Sequence, residues 1–197
     1  MVVKKLMANF EKHGVTPRYF DTKEQAAEAI CGELSGKSIA FGGSVTLRDM
    51  GIFEKLSENN EVYWHWKQKR PEQKQIECDT EVYILSANAV AETGEIVNID
   101  GTGNRVANAI YGKQTVYYVF GTNKITPDLP SAIDRARQTA SPPNAQRLGL
   151  DTPCTKDGLC HDCLSPQRIC NVMTIQMHKP GGAGCVHAVI IGENLGY

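Results

Sequence analysis

The sequence contains no apolar stretch that approaches the roughly 20 residues of a transmembrane helix. Residues 1–14 carry lysines but neither an apolar core nor a small-residue cleavage site, so they lack the features of a signal peptide. We therefore expect a cytoplasmic protein with no membrane span, in which cysteine thiols stay reduced. The odd number of cysteines, seven, also fits poorly with a framework made only of disulfides.

The chain also lacks an excess of charge of either sign. It has 21 Lys and Arg residues against 22 Asp and Glu residues, which gives a formal net charge of -1. Proteins that bind nucleic acid or anionic membranes usually depend on a marked positive excess, so we expect neither as a partner. The single dense basic run, KQKR at 67–70, is predicted to be a solvated loop.

Familiar catalytic motifs are missing as well. The sequence shows no Ser-His-Asp order, no HExxH motif and no paired-carboxylate arrangement, so a conventional hydrolase is not indicated. The glycine-rich stretch FGGSVT at 41–46 matches neither a Walker A motif nor a dinucleotide fingerprint.

What the chain has is an alternation of short apolar strands with helices. Strands are predicted at 18–21, 38–41, 61–66, 114–121 and 186–196, and two more within 80–100, where a Thr-Gly turn at 93–94 separates them. Helices are predicted at 3–10, 21–34, 103–112 and 126–140. This alternation favours an α/β fold with a mostly parallel sheet flanked by helices. We expect one domain over residues 1–197, with a cysteine-rich metal-binding insertion at 152–171.

The first candidate ligand site is the loop that follows the strand at 38–41. Its two glycines let the backbone turn sharply and approach a ligand closely. The hydroxyl side chains, together with the free N–H groups at the start of the next helix, would make a cradle for a phosphate or a carboxylate. The candidate residues are Gly42, Gly43, Ser44 and Thr46.

The second candidate is the stretch NIDGTGNRVAN at 98–108, where a strand again passes through glycines into a helix. Asp100, Asn104 and Arg105 put a carboxylate, an amide and a guanidinium at the carboxyl edge of the sheet, where open α/β sheets bind ligands. A helix cap with Arg105 in a surface ion pair is the alternative interpretation.

The third candidate is the cysteine cluster, spaced C-x5-C-x2-C-x6-C: Cys154, Cys160, Cys163 and Cys170. The central pair lets two thiolates meet on one ion, and the outer pair can complete a zinc site or the corners of an iron–sulfur cluster. The segment has little apolar content, so it needs a cross-link to hold a shape. The spacing favours a four-thiolate metal site, with redox-active or disulfide-forming thiols as one alternative and unligated cysteines as the other.

Five segments together resemble the LUD-domain family of lactate utilisation proteins: GGSVTLRDMGI, SANAVAETGEIVNIDGTGNRVANAIYG, GTNKITPDLPSAIDRAR, SPPNAQRL and TPCTKDGLCHDCLSPQRICN. The resemblance runs in order from about residue 2 to 195. It implies a single LUD-like domain whose fold is similar to the CoA-transferase and ribose phosphate isomerase superfamily. It also adds Gly101 and Gly103 to the binding residues of the second loop.

The resemblance implies a subunit of an iron–sulfur-linked system that oxidises lactate or a related hydroxy acid. A small anionic metabolite would be the ligand, and iron–sulfur oxidoreductase subunits would be the partners. The cofactor at the four cysteines would be an iron–sulfur cluster, of the 4Fe–4S type, or zinc. One alternative is an enzyme or binder of the sugar-phosphate or acyl-CoA type with a structural metal, and another is a scaffold that senses redox state or metal.

Overall fold

Ten β-strands and nine α-helices make up the structure, a computed structural model that describes all residues from 1 to 197. The strands are β1 Thr16–Phe20, β2 Ser38–Phe41, β3 Glu61–Trp64, β4 Val82–Leu85, β5 Ala89–Ala91, β6 Ile96–Asp100, β7 Thr115–Gly121, β8 Ile125–Thr126, β9 Val172–Gln176 and β10 Cys185–Ile191. The helices are α1 Val2–Lys12, α2 Lys23–Glu33, α3 Val45–Met50, α4 Ile52–Ser57, α5 Gln73–Asp79, α6 Asn104–Ile110, α7 Leu129–Asp134, α8 Ser141–Arg147 and α9 Cys154–Asp157. None of the helices combines the length and the apolar composition that crossing a membrane requires.

Six strands form a parallel sheet in the order β1-β10-β7-β4-β2-β3. Its central strands are buried on both faces; all four residues of β4 are buried, for example. One core, around Ile39, Phe41 and Trp64, lies on one face with helices α2 to α4, and a second core, around Phe10 and Tyr118, lies on the other. Apolar residues on both sides of each strand are what a parallel sheet covered by helices requires.

Four strands form a second, smaller sheet in the order β8-β5-β6-β9. β6 runs antiparallel to both of its neighbours, and β5 is parallel to β8. A small core of alanines and branched residues, among them Ala89, Val97 and Ala136, joins this sheet to α7 and the helical turns after it. The small sheet places Asp100, at the end of β6, next to the cysteine-rich segment.

Residues 129–147 form one continuous helical stretch in which α7 and α8 flank a π-helical segment, Arg135–Ala140. Pro142 and Pro143 have no N–H group and cannot continue an α-helical hydrogen-bond pattern through the first turn of α8. The hydroxyl of Ser141 donates to the carbonyl oxygen of Ala136 at 2.8 Å instead. The wider turns change which side chains of this stretch face the sheet.

The predicted α/β fold with a mostly parallel sheet is confirmed. The strand at 38–41 has its predicted bounds, and Thr22 caps α2 by accepting the N–H of Gln25 at 3.3 Å. The prediction of two strands within 80–100 was wrong, because three occur there. The sequence also did not indicate α4, α5 or β9.

Candidate functional site

The carboxyl ends of four neighbouring strands of the large sheet border a cleft of about 230 Å³. In spatial order these strands are β7, β4, β2 and β3. A residue that follows each of them lines the cleft: Lys124, Ser86, Gly43 and His65. Open parallel sheets bind ligands at this edge, since the loops after neighbouring strands converge there. The cleft is therefore the candidate site.

The structure brings most of the predicted ligand-binding residues together in this cleft. Those that line it are Gly43, Ser44, Thr46, Asp100, Gly101, Asn104 and Arg105. Gly42 and Gly103 lie in the same two loops without lining the cleft. Ligand binding by these residues stays a prediction, but two loops far apart in the sequence do share one space.

The loop after β2 has no room for side chains at its two glycines. A Cβ on Gly42 would lie 2.8 Å from Cγ of Arg105, and one on Gly43 would lie 2.9 Å from the indole ring of Trp66. Ser44 ends the loop as the N-cap of α3, where its Oγ accepts the N–H of Leu47 at 3.2 Å. Gly42 is therefore required for packing against the second loop, and Gly43 for packing against Trp66, as well as for the turn.

Arg105 is fixed by its neighbours and leaves no free donor pair for a ligand. Its guanidinium donates to the carbonyl oxygens of Ser86 at 3.0 Å and Ile99 at 2.6 Å, and to Oδ1 of Asn98 at 2.6 Å and of Asn88 at 3.1 Å. Its Nε lies 3.7 Å from Oδ2 of Asp100. In this arrangement Arg105 holds the loops together and supplies positive charge. The surface ion pair that was the alternative is wrong, because the side chain is only 13% exposed.

Asp100 shapes the second loop. Its Oδ1 accepts the N–H of Thr102 at 3.0 Å and of Gly103 at 2.9 Å, which closes a tight turn. Gly103 has φ of 91°, a left-handed conformation that a glycine adopts without strain. Oδ2 of Asp100 is buried and makes no hydrogen bond. One oxygen of this carboxylate is thus structural, and the other faces Arg105.

Lys124 is a buried cation of the cleft that the sequence had not indicated. Lys124 is the last residue of the short helical turn that follows β7, and it is only 4% exposed. Nζ donates to Oγ1 of Thr46 at 3.2 Å, to Oγ of Ser86 at 3.0 Å and to the carbonyl oxygen of Ala87 at 3.0 Å. No carboxylate is among these partners, so nothing in direct contact with this ammonium neutralises it.

The positive field around Lys124 is strong. Burial, followed by the charges of Arg135 and Arg105, lowers the pKa of Lys124 from 10.5 to about 7. Arg135 is itself held by main-chain oxygens, with its Nε donating to the carbonyl oxygen of Asn123 at 3.0 Å. Of these three cations, Arg105 has a carboxylate beside it, Asp100, whose Oδ2 lies 3.7 Å from its Nε. The base of the cleft therefore favours an anion.

Neutral hydrogen-bond donors also belong to the lining. The main-chain N–H groups of Gly43, Ser44 and Gly101 donate no hydrogen bond within the protein. Oδ1 of Asn88 is used by Ile99 and Arg105, whereas its Nδ2 has no partner. Donors of this kind can bind the oxygens of a carboxylate or of a phosphate without a further desolvated charge.

A histidine paired with a buried glutamate forms part of the wall. Nδ1 of His65 lies 3.0 Å from Oε1 of Glu77, and Oε2 of Glu77 accepts Nδ2 of Asn104 at 3.0 Å. The side chain of Glu77 is 3% exposed and that of His65 is 23% exposed, with His65 lining the cleft. No sequence pattern indicated this pair, since the two residues are twelve positions apart in a polar stretch.

The rim of the cleft combines an aromatic ring and a cation. The ring of Trp66 stacks on Trp64 with centroids 5.5 Å apart, and the guanidinium of Arg147 lies 4.7 Å above the Trp66 ring. Asn144 Oδ1 accepts both Nε and Nη2 of Arg147, at 3.1 and 2.8 Å. The SPPNAQRL segment thus contributes α8 to the cleft, and Arg147 adds a fourth cation near its opening.

One signal could have led to the residues that were missed. In a parallel sheet the residues after every strand meet at one edge, so Ser86 after β4 and His65 after β3 are expected near the glycine loop once the strands are known. Lys124 follows β7 in the same way. Glu77 and Arg147 lie on helices, and their approach to the cleft depends on packing that no local pattern encodes.

The cysteine-rich segment lies beside the cleft, between α8 and β9, and contains α9 as its regular element. The four cysteines are half-buried and unpaired. Two arginines lie beside them: Nη2 of Arg137 is 3.0 Å from Oδ1 of Asp162, and Nη2 of Arg168 donates to the carbonyl oxygen of Cys170 at 2.9 Å. A second cavity of about 220 Å³ is shared by Cys160, Cys170 and both arginines.

The donors present do not fit a metal in this arrangement. Nowhere in residues 1–197 do three or more His, Cys, Asp or Glu side chains form a group that could hold an ion. Cys154 instead lies 3.2 Å from Oγ1 of Thr152, and Cys160 is next to a guanidinium. The iron–sulfur cluster or zinc predicted at Cys154, Cys160, Cys163 and Cys170 stays a prediction from the sequence.

Comparison with known proteins identifies the family of this fold. No curated protein matches the sequence. Among solved structures, the crystal structure of a DUF162 family protein from Deinococcus radiodurans at 1.70 Å resolution is similar to this chain. The TM-score is 0.59 at 10% sequence identity, and the match covers 97% of this chain and 96% of that one. At this identity the likeness shows the fold alone. The family model of the LUD domain matches residues 3–191, so the chain belongs to the LUD-domain family and is, at that level, a lactate-utilisation-related protein.

Proposed function

We propose that the protein binds a small 2-hydroxycarboxylate, lactate or a related hydroxy acid, in the cleft and takes part in its oxidation. The observation that carries this proposal is the group of three cations, Lys124, Arg105 and Arg135, beside a polar cleft in which Asp100 is the adjacent carboxylate. A buried ammonium without a carboxylate in contact is stabilised by an anion that enters the cleft.

The size of the cleft favours a ligand with few heavy atoms. Its volume of about 230 Å³ is below the roughly 300–1,000 Å³ of pockets that enclose drug-sized ligands. An acyl-CoA would leave most of its surface outside. The neutral donors, Gly43 N–H, Ser44 N–H and Asn88 Nδ2, are matched to the oxygens of a carboxylate.

Oxidation of a 2-hydroxy acid to the 2-keto acid releases two electrons and two protons. In the proposed system the chain supplies binding, orientation and charge, and the electrons pass to an iron–sulfur oxidoreductase subunit that acts as partner. Membership of the LUD-domain family supports this assignment. The residues of the cleft hold the carboxylate of the acid against Lys124 and leave its hydroxyl next to the wall.

Calorimetric titration of the purified protein with L-lactate tests the proposal, with ribose 5-phosphate and coenzyme A as competing ligands. We expect lactate to bind and Lys124→Met to weaken binding by roughly tenfold to a hundredfold, which corresponds to about 1.5–3 kcal/mol for removing a positive charge roughly 6–10 Å from the bound carboxylate at an effective dielectric constant of about 20. Lys12→Met, an exposed lysine of α1, is the matched control and should bind as the wild type does. Binding of the phosphate or of coenzyme A without binding of lactate would overturn the assignment.

A further inference from the structure

The wall of the cleft contains an oriented imidazole that binding of an anion does not require. His65 follows β3 directly and lines the cleft, on a different loop from the cations. Its Nδ1 is occupied by Glu77 at 3.0 Å, whereas no protein group makes a hydrogen bond to its Nε2. A partly exposed histidine with one nitrogen hydrogen-bonded and the other unpaired can bind a ligand or exchange a proton at the second nitrogen.

Glu77 is held firmly enough to fix this ring. Its carboxylate is almost fully buried, and its two oxygens accept from His65 and from Asn104. The backbone of α5 at Glu77 is tied down by the buried ammonium of Lys113, which donates to the carbonyl oxygens of Glu77, Cys78 and Thr80. An ionised carboxylate only accepts hydrogen bonds, so in the neutral ring Nδ1 carries the proton and Nε2 carries the lone pair.

We propose that His65 is the proton acceptor of the cleft and that its Nε2 contacts the hydroxyl group of the bound hydroxy acid. This assignment rests on the proposed function. In the step itself the O–H bond of the substrate breaks, its electron pair stays on oxygen, and the proton bonds to the lone pair of Nε2. The resulting imidazolium is paired with Glu77.

Other groups of the cleft are less suited to this role. The N–H bonds of Lys124 are directed at Thr46, Ser86 and Ala87, and an anion bound in the cleft favours the charged form of this amine, which has no lone pair to accept a proton. Asp100 uses Oδ1 for the turn and turns Oδ2 toward Arg105. His65 alone combines an unpaired nitrogen, a carboxylate behind it and a place in the lining.

The test compares two ligands that differ only in the hydroxyl group, L-lactate and propionate. If Nε2 of His65 binds that hydroxyl, wild-type protein prefers lactate by roughly twofold to tenfold, the value of one hydrogen bond of about 0.5–1.5 kcal/mol. His65→Phe keeps a ring of similar shape without nitrogen. It should bind propionate as the wild type does and bind lactate no better than propionate.

Glu77→Gln serves as the second variant. Gln offers both a donor and an acceptor to Nδ1, so the ring is free to adopt either tautomer. We expect a ring nitrogen NMR spectrum in which the His65 lone pair, confined to Nε2 in the wild type, is shared between the two nitrogens. A melting curve by circular dichroism confirms that each variant is folded.

The outcomes separate the two proposals. Wild-type protein that binds neither acid overturns the proposed function and this assignment with it. Wild-type protein that binds lactate, together with a lactate-to-propionate ratio that His65→Phe leaves unchanged, overturns the role of His65 alone. A merely structural His65 would alter both affinities in parallel and leave their ratio as it was.

Discussion

Replacing Lys124 by Met should change the stability of the protein in a way that depends on pH. In the folded chain the pKa of Lys124 is about 7, and its usual value is 10.5. Between these two values the unfolded chain binds more protons than the folded one. Wild-type stability therefore rises with pH through this window, and the destabilisation caused by the buried charge is fully present below pH 7.

The magnitude follows from the size of the shift. Each pH unit inside the window contributes about 1.4 kcal/mol, so wild-type protein should gain roughly 2–3 kcal/mol of stability from this one group between pH 7 and pH 9. Met has no titrating group, so Lys124→Met lacks this gain. Its loss of hydrogen bonds to Thr46, Ser86 and Ala87 is a cost that does not vary with pH over this range.

Urea unfolding of the wild type and of Lys124→Met at pH 7, 8 and 9 measures the difference. We expect the stability of the variant relative to the wild type to fall by roughly 2–3 kcal/mol from pH 7 to pH 9. Lys12→Met removes an exposed lysine and controls for the loss of one charge from the surface. A difference between the wild type and Lys124→Met that is the same at all three pH values would refute the reasoning about the buried ammonium.

Three further variants test the two loops and the cysteine-rich segment. Arg105→Lys keeps the charge but loses the planar guanidinium and leaves buried acceptors unpaired. We therefore expect the free energy of unfolding to fall by about 3 kcal/mol and the melting temperature by roughly 6–12 °C. An unchanged melting temperature would contradict the positioning role. Gly43→Ala places a Cβ 2.9 Å from the Trp66 ring, so a change in tryptophan fluorescence and a loss of about 1–3 kcal/mol in urea unfolding are expected. The four cysteines must rearrange before they can hold an ion. Metal in anaerobically purified protein that Cys160→Ser combined with Cys163→Ser abolishes and Cys185→Ser retains would show that they do so, and metal-free wild-type protein would contradict the predicted site.

The fold could be predicted where the local sequence and the tertiary environment agree. Strand β2 is four apolar or small residues that end at a Gly-Gly turn, and both faces of it are buried. Strand β9, Val172–Gln176, was missed because it is an edge strand whose residues are largely exposed, and its pairing with β6 defines it. The stretch at 80–100 was divided wrongly because residues 82–91 were taken as one strand, whereas residues 86–88 separate β4 from β5.

The candidate site was only partly predictable for a related reason. Glycine turns after strands are visible locally, so the loops at Gly42 and Gly101 were found. The character of the cleft comes from residues that look ordinary in sequence, above all Lys124 in a short turn and Arg135 in a helix. Their effect arises from burial and mutual repulsion, which depend on the assembled sheet.

The structure also relates the cysteine-rich segment to the cleft, whatever its thiols bind. Where the segment ends, Asn171 donates its main-chain N–H to the carbonyl oxygen of Asp100 at 3.1 Å and its Nδ2 to that of Gly101 at 2.9 Å. Ile169 lies so close to Gly101 that a Cβ there would meet its main chain at 3.2 Å. A rearrangement of the segment on binding a metal or on oxidation of its thiols would therefore be transmitted to the loop of Asp100, whose Oδ2 lies 3.7 Å from Nε of Arg105. Because these contacts join the segment to a loop that lines the cleft, the chemistry of the cysteines can alter anion binding even without contact between a thiol and the ligand.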